Sequence, residues 1–454
     1  MKIQMTFLGV IFLVFFTVSA QIDDSKVNSE YYRRPETKVS FIQEWCVPDS
    51  KNVIRNSKIL NDISSYFQKI FSGVRFTTKI INLKNTVSKK ECVSGNKVVV
   101  LNIKSIDLFL EEKKIPRFYE FFRKDFEVTK AYKDFESKMR GFFSEPLSPL
   151  RPEKVFVLAR HDVYELGPDK LGRQTDELNI DYKKYIPYIS KTKLEKVNVF
   201  VLDSAYSNKE NDLLNIIDDA NHGKPISILI NSIANSNQVV IHPIKVCGKN
   251  SAKQISTGIN PKALCYESDV IEALEKIKSN EDYSNAINIF NMSFASFYTS
   301  EKYLPQNYSD SISQLISINE STDGLPKNIF IASVGNITSA LYQDFRKYHE
   351  KGGLYVFPAR YFNVIGVGSY GNFNGTLKPS GLDVLGDHFN IYAPGRWIEI
   401  GSEKYSGSSF ATAFVSGILA HIASRCYEKI NQSEMDNENL VQRFLKSEDV
   451  CKTK

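Results

Sequence analysis

Asp203, His222 and Ser409 are the residues of this chain whose types and local settings suit nucleophilic cleavage of an acyl bond. A serine hydroxyl is a weak nucleophile near neutral pH unless a base removes its proton as it attacks, and imidazole titrates in the range that work needs. A carboxylate on the far side of the ring would orient it and stabilise its cationic form. Val199-Phe200-Val201-Leu202-Asp203-Ser204 ends an apolar run on a carboxylate; a strand-end cap or turn former is the competing reading. Nineteen residues later, Asn221-His222-Gly223 leads into an apolar helical run. Gly407-Ser408-Ser409-Phe410-Ala411-Thr412-Ala413 sets a serine at the start of a helix, where free backbone N–H groups can face a developing negative charge. Its bland counterpart is a Ser/Gly turn that caps a buried helix.

These residues need a scaffold, and from Val197 onward the sequence supplies one. Short β-rich runs alternate with helical segments, the pattern of a largely parallel sheet with helices on both faces. Strands are predicted at Val197–Leu202, Val239–Val246, Ala286–Phe294, Asn328–Val334 and Asn363–Ser369, and helices near Pro225–Asn235, Asp269–Lys278, Asp310–Asn319 and Ser409–Arg425. In the last helix Phe414, Val415, Ile418, Leu419 and Ile422 recur on one face, and Gly417 and Ala420 would let it pack closely against a sheet.

The order Asp, His, Ser along the chain is that of the subtilisin-type triad, unlike the orders of chymotrypsin-like enzymes and α/β-hydrolases. Over roughly Lys196 to Arg425 the chain resembles the subtilase family of serine endopeptidases. Val201-Leu202-Asp203-Ser204 is similar to the family's aspartate motif, Asn221-His222-Gly223 to its histidine motif, and the segment around Ser409 to its serine motif. Ile331-Ala332-Ser333-Val334-Gly335-Asn336 resembles the strand whose asparagine donates to the oxyanion, although Asn336-Ile337-Thr338 also reads as a glycosylation sequon. Pro358-Ala359-Arg360-Tyr361, Asn363–Gly368 and Ala393-Pro394-Gly395 match further landmarks. The resemblance implies an α/β subtilisin-like fold, a triad of Asp203, His222 and Ser409, an oxyanion donor in Asn336, and protein or peptide substrates. A catalytically silent subtilase fold acting as a binding protein is the alternative. A lipase is disfavoured, because Ala411 breaks the Gly-x-Ser-x-Gly pattern.

Asn291-Met292-Ser293 resembles the strand that lies along bound peptide in that family, so Asn291, Ser293, Phe294, Ala295 and Ser296 are the expected substrate-binding residues. Phe294-Ala295-Ser296 stands where Leu-Gly-Gly is common, which implies a crowded pocket and narrow specificity. After His222 the family's threonine and small residues give way to Lys224, Pro225, Ile226, Ser227 and Ile228. Structural calcium is frequent among such proteins, but no acidic loop here has suitable ligand spacing, and no metal or organic cofactor is expected.

The 454-residue chain exceeds one small domain. Met1-Lys2, the apolar run Phe7–Val18 and Val18-Ser19-Ala20 read as a signal peptide (1–20) cleaved after Ala20, which predicts a secreted or extracytoplasmic protein with no membrane attachment thereafter. Residues 21–190 form an α+β N-terminal region with strands expected at Lys97–Ile103 and Lys154–Ala159; residues 191–430 form the catalytic domain and 431–454 a tail. The position of the N-terminal region is that of a subtilase prosegment, with a permanent accessory domain as the other reading; a processing site is expected within Pro168–Lys193. Six cysteines fit an oxidising compartment, and pairing of neighbours would give Cys46–Cys92, Cys247–Cys265 and Cys426–Cys451. The net charge of +6 arises from interspersed Lys and Glu, so no nucleic-acid partner is indicated. A monomer is expected.

Overall fold

The computed structural model describes strand segments at 40–46, 75–83 and 98–107, single residues at 61 and 65, short pieces between 137 and 158, and most of 196–426, with the longest breaks at 208–214, 250–262, 299–310, 318–327, 337–354 and 384–390. The signal peptide, the stretch Pro168–Lys193 and the tail lie outside the described residues.

Ser40–Cys46 (β1), Arg75–Leu83 (β2) and Val98–Asp107 (β3) form an antiparallel sheet in the order β2-β3-β1. The apolar run from Lys97 announces β3. Neither β1 nor β2 was expected, because β1 lacks the alternation of a half-exposed strand: Ile42, Gln43, Glu44, Trp45 and Cys46 are all buried. Val155–Leu158 (β4) leaves this region and joins the second half of the chain.

The larger body is built on Val197–Asp203 (β5), Gly223–Ala234 (α1), Val239–Lys245 (β6), Cys247–Lys249 (β7), Ala263–Tyr266 (β8), Glu267–Lys278 (α2), Ile287–Met292 (β9), Ser311–Ser317 (α3), Asn328–Ser333 (β10), Val364–Phe373 (β11), Ile391–Pro394 (β12) and Ser408–Cys426 (α4). Strands β6-β5-β9-β10-β11 run parallel in that order. At the β11 edge β12 pairs in parallel, and Thr376–Pro379 pairs antiparallel.

Helices cover both faces, so the central strands are apolar on both sides and β5 is buried at all seven positions. Val197, Val199 and Val201 of β5 face the core shared with α1 and α4. Phe200 and Leu202 face the opposite core, shared with α2 and α3. In that second layer Phe200, Phe290 and Phe330 stack strand to strand, with ring centroids 5.2 and 4.5 Å apart. The buried N-terminal residues Ile42, Ile81 and Leu83 belong to the same core. Glu44 anchors the contact: its carboxylate accepts from the Ser311 N–H at 3.1 Å and hydroxyl at 2.7 Å, which offsets the cost of burying a charge.

Helix α4 carries the predicted apolar face, but it is buried all round, with only Arg425 partly exposed. It lies between the sheet and α1, so a single apolar stripe would not suffice. The close approach at Gly417 is made to α1 rather than to the sheet. A Cβ there would stand 2.7 Å from Ile233 Cβ.

One polar row crosses the lower ends of the strands. Asn198, Asn288 and Asn328 are in register on β5, β9 and β10. Asn198 Nδ2 donates to Asn288 Oδ1 and Asn288 Nδ2 to Asn328 Oδ1, both at 3.0 Å. His242 Nε2 lies 3.2 Å from Asn198 Oδ1. Cys247 and Cys265 form the expected disulfide across β7 and β8. Cys46 and Cys426 are also disulfide-bonded, and their partners lie outside the described residues. Among the described residues no helix is long and apolar enough to cross a membrane.

Candidate active site

Asp203 is the last residue of β5, at the carboxyl end of the sheet, and is completely buried. The apolar run that drives β5 into the core therefore delivers a carboxylate to the rim. His222 immediately precedes α1, and both Asp203 carboxylate oxygens lie 2.9 Å from His222 Nδ1. An ionised carboxylate only accepts, so Nδ1 carries the proton and Nε2 is left as the basic nitrogen. Asp203 Oδ1 also accepts the Ser204 N–H at 2.7 Å, and the Ser204 Oγ lies 3.1 Å from it.

Two local features bring the ring to the carboxylate. Asn221 has φ 51°, a left-handed conformation that asparagine tolerates better than most residues, and it turns the chain into α1. Gly223 lets that helix start touch β5: a Cβ would fall 2.7 Å from Ala205 Cβ and 3.0 Å from Asp203 Cβ. Lys224 and Pro225 do not prevent the helix, since proline suits a first turn.

Asp218, which the sequence reading passed over, ties the arrangement together. Its Oδ2 accepts the Lys224 N–H at 2.8 Å and its Oδ1 the Ser204 hydroxyl at 2.7 Å. The Ser204 hydroxyl in turn lies 3.2 Å from the Gly223 N–H. An acidic residue a few positions ahead of a helix was the available signal.

Ser409 lies in the first turn of α4 and is buried, with 4% exposure. Its hydroxyl donates to the Ser293 main-chain carbonyl at 3.0 Å. The next residue, Phe410, packs near the His222 ring, with centroids 6.1 Å apart. The structure thus brings Asp203 and His222 into direct contact and puts Ser409 on the same end of the sheet, next in sequence to the Phe410 that packs near the ring.

Asn336 follows β10, and its Oδ1 accepts from the Ser408 N–H at 2.8 Å and the Ser408 hydroxyl at 2.9 Å. Because a backbone N–H can only donate, the carbonyl end of the amide must face Ser408. The NH₂ end then faces Gly407, where a Cβ would lie 2.7 Å from Nδ2. Gly407 has φ +139°, so glycine answers both the conformation and the space. Asn336 is 5% exposed and gripped on its oxygen side, a setting with no room for a glycan.

Beside Asn336 stands a buried acid that the sequence did not reveal. Asp383 bridges backbone to backbone with Asn336, and its carboxylate takes the Ser369 N–H at 2.6 Å and hydroxyl at 2.7 Å. Burial pushes its pKa up to about 7, against the opposing pull of the two Ser369 bonds.

Of the five residues expected along the peptide, Asn291 and Ser293 turn their side chains to α4. Asn291 Nδ2 donates to Ser293 Oγ at 2.8 Å, Ser416 Oγ donates to Asn291 Oδ1 at 3.0 Å, and Ser293 Oγ donates to the Ser409 carbonyl at 3.1 Å. Phe294, Ala295 and Ser296 follow at the rim and are buried. Phe294 packs on Phe156 of β4, with ring centroids 5.0 Å apart. Among the described residues no group of three or more His, Cys, Asp or Glu is placed to hold a metal ion.

A family model described as the subtilase family, peptidase S8, matches residues 158–447. The chain belongs to the subtilase family and is a serine-type peptidase. No curated protein matches it in sequence. Solved structures similar to it include fervidolysin from Fervidobacterium pennivorans, a keratinolytic enzyme related to subtilisin (14% identity, 86% of this chain and 55% of that one, TM-score 0.41). MycP1 from Mycobacterium smegmatis has 15% identity over 64% of this chain and 82% of its own, with a TM-score of 0.38. A cold-adapted subtilisin-like serine proteinase has 18% identity over 58% and 86%, with a TM-score of 0.35.

Proposed function

We propose that the protein is a secreted serine endopeptidase that hydrolyses peptide bonds through an acyl-enzyme on Ser409. The observation that carries this reading is the buried Asp203–His222 pair, joined at 2.9 Å through Nδ1, so that Nε2 is the nitrogen left to act as base. In the first step the Ser409 hydroxyl turns from the Ser293 carbonyl to His222, gives its proton to Nε2 and attacks the substrate carbonyl carbon. Asp203 stabilises the resulting imidazolium. The Asn336 NH₂ and the Ser409 N–H at the start of α4 receive the oxyanion. His222 then protonates the leaving amine, and water reverses the sequence to release the acid.

Within this reading residues 1–20 are removed on export and residues 21–190 act as a prosegment. A silent binding fold is the second reading, favoured by the Ser409 hydroxyl resting on the Ser293 carbonyl. Labelling with a fluorophosphonate separates the two. An active nucleophile labels at Ser409 and the label disappears in Ser409→Ala; absence of label on folded, processed protein overturns the endopeptidase reading.

A further inference from the structure

Strand β4 comes from the N-terminal half of the chain, yet it completes a sheet at the rim of the candidate active site. It pairs antiparallel with β8, Phe156 opposite Cys265 and Leu158 opposite Ala263, in a three-stranded sheet β7-β8-β4. That sheet grows from the triad end of the molecule, since the Val246 N–H, just before β7, donates to the Asp203 carbonyl at 2.8 Å. On its other side β4 meets Phe294, the neighbour of the Ser293 whose carbonyl holds the nucleophile. An extended segment added to a sheet edge, with alternate side chains buried beneath it, is how a groove binds peptide. Phe156 and Leu158 are those side chains, both fully buried.

The ladder continues one residue further back, to Lys154. Its N–H donates to Glu267 Oε2 at 2.9 Å, and the Glu267 N–H donates to the Lys154 carbonyl at 3.0 Å. Its ammonium is buried too. It donates to the Tyr361 hydroxyl at 2.8 Å, lies 3.7 Å from Glu267 Oε1, and sits 5.6 and 5.4 Å from the ring centroids of Phe357 and Tyr361. Glu267 is fully buried in the first turn of α2. A fully buried carboxylate needs a cation to offset its desolvation, and the ring faces of Phe357 and Tyr361 that flank the ammonium suit a lysine in that place.

We propose that Glu267, Tyr361 and Phe357 form a lysine subsite of the substrate groove, now filled by the chain's own Lys154. The groove therefore selects peptides of the pattern Lys-x-aromatic-x-aliphatic, as in Lys154, Phe156 and Leu158. This deepens the endopeptidase reading and rests on it for the word substrate, but it is tested by binding alone.

The probe is a fluorescent peptide Lys-Val-Phe-Val-Leu, followed by anisotropy against the full chain carrying Ser409→Ala, with and without Lys154→Ala and Phe156→Ala to loosen the resident strand. Loosening is expected to strengthen binding at least roughly tenfold, and replacing the peptide's lysine by methionine to lose roughly tenfold or more, the scale of a charged hydrogen bond. In Glu267→Gln the preference for lysine over methionine shrinks, with the Tyr361 bond and the ring contacts remaining. Equal binding of the two peptides to the loosened protein, or equal binding to loosened and parent protein, overturns the proposal. The peptide-side exchange uses one and the same protein, so a folding defect cannot imitate it, and fluorophosphonate labelling reports separately on Ser409.

Discussion

Ser409 and Ser293 grip each other twice: the Ser409 hydroxyl donates to the Ser293 carbonyl at 3.0 Å, and the Ser293 hydroxyl donates to the Ser409 carbonyl at 3.1 Å. The second bond fixes the helix start to β9 whatever the Ser409 hydroxyl does, so that side chain can leave the first without the backbone moving. In Ser293→Ala that tether is lost and the buried Asn291 Nδ2 loses its acceptor. A destabilisation of about 1–3 kcal/mol is expected in denaturant unfolding. Unchanged stability would show that the tether contributes nothing.

Gly223→Ala is expected to separate the acid from the base. The new methyl would meet Ala205 and Asp203 at 2.7–3.0 Å, so either α1 retreats or β5 shifts. Because the 2.9 Å contact between Asp203 and His222 spans that junction, peptidase activity should fall by about tenfold or more, the usual scale of a small misplacement of reacting groups. Wild-type kcat in a folded Gly223→Ala protein would show that the contact does not depend on this approach.

Removing the Asn336 amide should act on turnover. Asn336→Ala is expected to lower kcat by about 10²–10³, the figure measured for the corresponding donor of a subtilisin, with little change in KM. Asn336→Asp would test the polarity: its carboxylate still accepts from Ser408 but offers the oxyanion no donor, so kcat should fall comparably. A larger effect on KM than on kcat would point to a role in ground-state binding instead.

Asp383 gives stability a pH dependence with a defined sign. Its folded pKa of about 7 lies above the ordinary carboxyl value of 3.8, so the folded state holds the proton more tightly. Stability from this group is full below pH 3.8, declines as pH rises, and is lost above about 7. Asp383→Asn, which can keep both Ser369 bonds with the hydroxyl bond reversed, should flatten that decline between pH 5 and 8 in thermal unfolding. An identical decline in the variant would remove Asp383 as its source.

His421 works in the opposite sense. Burial first, then the nearby Arg425 charge, lowers its pKa from 6.5 to about 4, against the bond to the Ala234 carbonyl at 2.8 Å. The unfolded chain therefore takes up a proton that the folded chain refuses, and stability falls as pH drops from 6.5 towards 4, by on the order of 3 kcal/mol in full. His421→Gln should lose much of this acid sensitivity in denaturant titrations at pH 4.5 and 7.

The candidate residues Asp203, His222 and Ser409 were legible through their Asp, His, Ser order and the subtilase-like motifs around them, since each segment alone also reads as a cap or turn. Asp203 ends an apolar strand, and His222 and Ser409 stand at helix starts, so boundaries good to a residue or two sufficed. Asn336 was legible through the likeness of Ile331–Asn336 to a subtilase strand ending in Gly-Asn. Asp383 lies in a segment with no period to mark it, and its burial is decided by Ser369 and Asn336 from distant parts of the chain. Strand β8 escaped notice because four residues are too few for a pattern, and β1 because both its faces are covered. The approach at Gly417 was foreseen, but a sequence cannot say whether a small residue admits a sheet or a helix.

The asparagine row at the lower ends of β5, β9 and β10 acts as a ruler for the opposite end of the sheet. A slip of one position along β5 would break the amide row, move Asp203 by about 3.3 Å and turn its carboxylate to the wrong face. The three amides thus make correct strand alignment and the Asp203–His222 contact one event. A chain assembled out of step would be silent as well as unstable, and so could not cut its neighbours while still misfolded.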